Sequence, residues 1–204
     1  LSAKNNLIHF CFDDDWMHPL YIENSIKFFN ERVGMVFCEH ELINLNKDLK
    51  NLKKWTLPSN YEVKRLNSFT GFPKVMKGLI SPSCALLRKS DALKCMYLTN
   101  NLISKHSYKG VGPDWLMTAY PIFEYPICVF IKSPLVRFGD HDDSITIDAQ
   151  KDFYSNKAKK FRAAYAGTRL YLLIGIIIKK LNIETLYIFL EECFRKIKIN
   201  YKRH

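Results

Sequence analysis

One stretch constrains the fold more than any other: the apolar run Leu7-Ile-His-Phe-Cys-Phe12 leads directly into Asp13-Asp14-Asp15, and Trp16-Met-His-Pro19 follows. The near-continuous apolar run predicts a strand buried on both faces, of the kind found in parallel sheets. Pro19 suits the first turn of a helix, with Ile22, Ile26 and Phe29 as its inward stripe. A strand that delivers polar residues into a loop before a helix is how open α/β sheets build ligand sites beyond their carboxyl ends. Three adjacent carboxylates repel one another and favour a divalent cation; their hard oxygens suit Mg2+ or Mn2+. The competing reading is a solvated acidic turn with a helix-capping aspartate.

Further along, Val33 to His40 predicts the next strand. Asn46 to Trp55 reads as a surface helix or a loop, and Pro58 to Lys77 shows no firm periodicity. Cys84 to Arg88 predicts a short strand, with Ser90 capping a helix to about Asn100. Ser104 to Gly112 is a polar loop leading to Pro113-Asp114-Trp115-Leu116, a helix start, and Pro121 is expected to end that helix. Ile127 to Ile131 and Leu135 to Phe138 read as two strands joined by a turn at Ser133-Pro134. A second acidic loop follows, Gly139-Asp-His-Asp-Asp-Ser144.

The 204 residues allow one domain, or a domain with an appendage. Charge divides the chain unevenly: residues 151–204 carry 13 Lys/Arg against 4 Asp/Glu, so +9 of the formal +11 lies in the last quarter. A basic, apolar-rich segment of this kind meets an anionic membrane surface, an acidic partner or nucleic acid. No finger, basic zipper or RNA-binding signature is present, so nucleic acid is not an expected partner. Its longest apolar stretch, Leu170 to Ile178, is too short to span a bilayer. Cys11, Cys38, Cys84, Cys95, Cys128 and Cys193 lack paired metal-ligand spacing and read as reduced thiols, mostly buried, in a cytoplasmic protein.

Three polar clusters thus stand between apolar elements: Asp13 to Asp15, Gly112-Pro-Asp114-Trp115, and Arg137-Phe-Gly-Asp-His141-Asp-Asp-Ser144. With Ser133-Pro-Leu-x-Arg137 leading to His141-x-x-Ser144, Gly112-x-Asp-Trp-Leu116, and Pro82-Ser-Cys-Ala-Leu-Leu-Arg88 between the clusters, residues 5–145 resemble a family-2 nucleotide-sugar glycosyltransferase of the GT-A fold. The resemblance implies an α/β fold: a partial GT-A (Rossmann-like) mixed sheet with flanking helices over residues 1–147, then a basic amphipathic helical tail over 148–204.

It also implies roles. Asp13 and Asp15, with His141, would hold Mn2+ or Mg2+. Asp13, Asp14 and Arg137 would bind the donor, Asp14 through its ribose or a metal-bound water, and Asp114 would be the general base in an inverting displacement. Trp16 and Trp115 are expected to pack rather than to carry sugar, and Arg137 could equally pair with Asp140 or Asp142. The partners are a nucleotide-sugar donor and a saccharide or lipid-linked acceptor in surface polysaccharide synthesis, in the cytoplasm or at the inner face of the membrane.

A complete GT-A domain builds its nucleotide-base pocket before the acidic loop, where only twelve residues stand here, so the chain is expected to be the carboxyl-terminal part of such an enzyme. The alternatives are an inactive truncated transferase acting as an interaction or membrane-surface module, and a metal-dependent phosphohydrolase. The phosphohydrolase pattern is broken by Met17, which stands where a threonine belongs. The strand at Leu7 to Phe12 is further expected to present an open apolar edge and to promote self-association.

Overall fold

The computed structural model describes residues 3–44, 55–56, 60–67, 70–71, 81–102 and 113–140, with 154–156, 158–160, 162–163, 165–166 and 169–170. The chain forms two compact units, Leu1–Thr168 and Arg169–His204. The expected elements at Asn46 to Lys54 and Ser104 to Gly112, the loop from His141 to Ser144, and the apolar stretch beyond Leu170 lie outside the described residues.

The first unit is built on a mixed sheet. Its strands are β1 (Leu7–His9), β2 (Asp15–Met17), β3 (Val33–Asn44), β4 (Glu62–Leu66), β5 (Ala85–Arg88) and β6 (Ile127–Asp140). They lie in the order β1-β5-β3-β6-β2, and β4 also pairs with β6. The helices are α1 (Tyr21–Ile26), α2 (Lys89–Leu102) and α3 (Pro113–Glu124), with a 3-10 turn at Pro82–Cys84. The parallel pair β3 and β6 forms the middle, and every other pairing is antiparallel. Val33 to Cys38 is buried residue after residue, as a strand covered on both faces must be. At Gly34 a Cβ would collide with the Tyr125 ring, so the close approach of that ring requires glycine.

Side chains alternate across the sheet, and residues in register share a face. On one face Tyr21 of α1 packs with Val36, Cys38, Cys84, Val129, Ile131, Leu135 and Val136. The rings of Phe37 and Phe130 stack at 5.0 Å on the other.

Several expectations are revised. The first apolar run is a strand only over Leu7–His9, paired antiparallel to β5 at the sheet edge, and Phe12 is 46% exposed. An apolar run does not by itself say whether a strand is central, and Phe12 is spent on the turn in which its carbonyl accepts from Asp15 N–H at 3.2 Å. Strand β2 intervenes before the helix. In α1 the buried residues are Tyr21 and Ser25, whereas Ile26 is 51% exposed. The Tyr21 hydroxyl donates to the Cys84 carbonyl at 3.0 Å, and this bond fixes the rotation of the helix.

Pro121 lies inside α3 rather than at its end. Burial of Trp115, Leu116, Ala119 and Ile122 outweighs the missing hydrogen bond, and the Tyr125 N–H still reaches the Pro121 carbonyl at 3.1 Å. Ser133-Pro134 is likewise not a turn between two strands: β6 runs through it, and its register against β3 slips at Cys38 to His40. A residue without an N–H is tolerated at such a bulge, and the Pro134 carbonyl accepts from the Trp55 indole at 3.1 Å. Strand β4 falls in the stretch that showed no periodicity.

Candidate functional site

The acidic turn is held by β2. Asp15, Trp16 and Met17 pair with Phe138, Arg137 and Val136, and the Gly139 N–H donates to the Asp14 carbonyl at 2.9 Å. The first polar cluster therefore abuts the end of β6, the strand that leads to the third. Asp13 is exposed, while Asp14 and Asp15 are half-buried.

Asp15 shares a face with Phe138 and Val136, directed towards the core side that holds Tyr21 and Cys84. Burial, opposed in part by the stabilising Ser83 side chain and reinforced by the charges of Asp14 and Asp13, raises its pKa to about 6. The surrounding groups are firmly placed. The His9 Nε2–H donates to the Ser83 carbonyl at 2.7 Å, its ring lies 5.0 Å from Tyr21, and burial lowers its pKa, so the imidazole is neutral at pH 7. Neighbouring Cys38 and burial push the Cys84 thiol up; burial and Asp15 do the same, in that order, for exposed Cys11 with its backbone-carbonyl contact at 3.7 Å. Neither offers a thiolate nucleophile at neutral pH.

Arg137 leaves the sheet on the face opposite Asp15, because adjacent residues of β6 alternate. Its Nε donates to Glu41 at 2.8 Å and its guanidinium lies 4.4 Å from the Trp55 ring centre. Its carboxylate partner among the described residues is Glu41, which the β3/β6 register sets directly beside it; the side chains of Asp140 and Asp142 lie outside the described residues. Trp16, half-buried, belongs to this second face.

Asp114 opens α3, the helix that packs against the turn at Pro82–Cys84. Its Oδ2 accepts from the Tyr165 hydroxyl at 3.2 Å, and Trp115 beside it is buried. Ser83, bridging the surroundings of Asp15 and α3, was not singled out by the sequence, although the Ser-Pro-Ser spacing is that of a capped turn. Tyr165 and Trp55 carried no sequence signal, since their partners lie 51 and 79 residues away. His141 lies outside the described residues.

Among the described residues no three His, Cys, Asp or Glu side chains converge as a ready metal cage. No helix among them is long and apolar enough to cross a membrane. No protein-family model matches the chain, and no curated protein matches it.

Proposed function

We propose that the chain carries the catalytic part of an inverting, metal-dependent glycosyltransferase of the GT-A kind, moving a sugar from a nucleotide diphosphate to a saccharide or lipid-linked acceptor. The observation that carries this reading is the β2/β6 pairing, which sets the Asp13 to Asp15 turn against the end of the strand leading to His141. The helix bearing Asp114 packs on the Pro82–Cys84 turn, whose Ser83 lies near Asp15.

Mg2+ and Mn2+ are commonly bound by one or two carboxylates, with phosphate oxygens and waters completing the shell, so a three-residue cage is not required. Asp13 and Asp15, two residues apart in one turn, fit that mode, and Asp15 in particular bears a charge that burial and its neighbours penalise. Asp13 and Asp15 would hold the ion, with His141 as a third ligand. Bound there, the cation supplies charge stabilisation for the departing diphosphate.

Asp14 binds the ribose or a cation-bound water. Asp114 accepts the proton of the acceptor hydroxyl as that oxygen attacks the anomeric carbon, and a single displacement inverts the configuration. Arg137 reaches the donor only by leaving Glu41 and Trp55, so its donor role is secondary in this scheme. The basic segment 151–204 meets the anionic inner surface of the membrane, where a lipid-linked acceptor is presented.

Asp114→Asn tests the assignment in a transfer assay with UDP- and GDP-sugars. Turnover is expected to fall by roughly 10²–10⁴, the usual contribution of a general base, with donor binding nearly intact. Unchanged turnover removes Asp114 from the mechanism.

A further inference from the structure

Beyond the sheet, the described residues between 154 and 166 include an anchored helical turn. Ser155 starts it: its Oγ accepts from the Ala158 N–H at 3.1 Å and its carbonyl from the Lys159 N–H at 3.0 Å. Ala158 is fully buried, and the segment lies within the compact unit Leu1–Thr168. Lys159 and Lys160 face outward, while Tyr165, half-buried, donates its hydroxyl to Asp114 Oδ2 at 3.2 Å.

We propose that Tyr165 is a positioning residue for Asp114, and that this turn is part of the reaction centre. The role rests on the transferase reading given above. A carboxylate at a helix start retains rotational freedom about its side-chain bonds, and a base must meet its proton within hydrogen-bond reach. A phenol donating to Oδ2 restricts the plane of the carboxylate. Because 51 residues separate the two side chains, the contact also ties the 154–166 turn to α3.

Two measurements on the full chain test this independently. The first is tryptic cleavage at Lys159, Lys160 and Arg162 under native conditions, in Asp114→Ala, Tyr165→Phe and the double variant. Cleavage in a docked turn requires local opening, so each single change is expected to speed it severalfold and the double change to add little more. Independent, multiplying effects would show that the two side chains do not hold each other and would overturn the proposal.

The second is steady-state transfer by Tyr165→Phe, in which kcat is expected to fall about tenfold while the donor KM stays unchanged. An active enzyme whose kcat survives the substitution would reduce the contact to a structural one. A wild-type chain that transfers no sugar while the cleavage effects remain coupled would leave the contact standing but remove the transferase reading, and the positioning role with it.

Discussion

Asp15 is held where its charge is costly. Its pKa of about 6 in the folded chain lies above the ordinary 3.8, so the folded state binds the proton more tightly than the unfolded state does. Stability linked to this group is therefore greatest below about pH 4, falls as pH rises through 6, and stays low above it. Asp15→Asn removes that penalty. In metal-free buffer at pH 7.5 it is expected to raise Tm by roughly 2–4 °C, allowing for partial solvent screening, and the gain should vanish near pH 4. A Tm difference independent of pH would contradict this placement of the carboxylate. For the same reason protons compete with a cation at Asp15, so cation affinity should weaken as pH drops through 6.

At the level of elements, the sheet edge makes a sharp prediction. The Lys89 N–H donates to the Asn6 carbonyl at 2.8 Å, which marks this opposed pair as a hydrogen-bonded one, and alternation gives the same role to Ile8 opposite Leu87. The backbone groups of Leu7 and His9 then point away from β5, to the side where no strand pairs with β1 among the described residues. Leu7→Pro should be tolerated, whereas Ile8→Pro removes a ladder bond and should cost roughly 3 kcal/mol or more in denaturant unfolding. Equal losses would show that the register is different.

The elements also show what can be read from the sequence. Strands β3 and β5 and helix α2 were legible from their apolar runs but not in their bounds: β3 continues past His40 to Asn44, Cys84 belongs to the 3-10 turn, and the helix begins at Lys89, so Ser90 lies inside it rather than capping it. Pro121 and Pro134 misled for a single reason: proline signals a local cost, and buried packing on α3 and a bulge in β6 absorb that cost. The exposed strand β4, with only Leu66 buried, carries no apolar periodicity, and only its pairing with β6 defines it.

Across the whole molecule, β1, which has no strand beyond it among the described residues, and the exposed Phe12 next to it favour association between copies. Light scattering at high concentration should report oligomers that Leu7→Pro diminishes; a clean monomer throughout would contradict this. The candidate site was legible in part. The resemblance grouped Asp13 and Asp15 with a residue that follows β6, and the β2/β6 ladder sets the acidic turn against the end of that strand. It did not anticipate that Arg137 leaves the opposite face, because face assignment depends on a register that only the paired strands define. Nor did it reach Tyr165, whose contact with Asp114 depends on how the chain folds back over 51 residues.

The most direct test is calorimetric titration of the folded chain with UDP, GDP and inorganic diphosphate in the presence of Mn2+, repeated with chelator and with Asp15→Asn. A metal-dependent site at the acidic turn should bind a diphosphate with Mn2+, lose it on chelation, and lose most of it in the variant. Absence of binding in every arm, or binding indifferent to both the metal and Asp15, would contradict a diphosphate site at Asp13 to Asp15 and the transferase reading built on it.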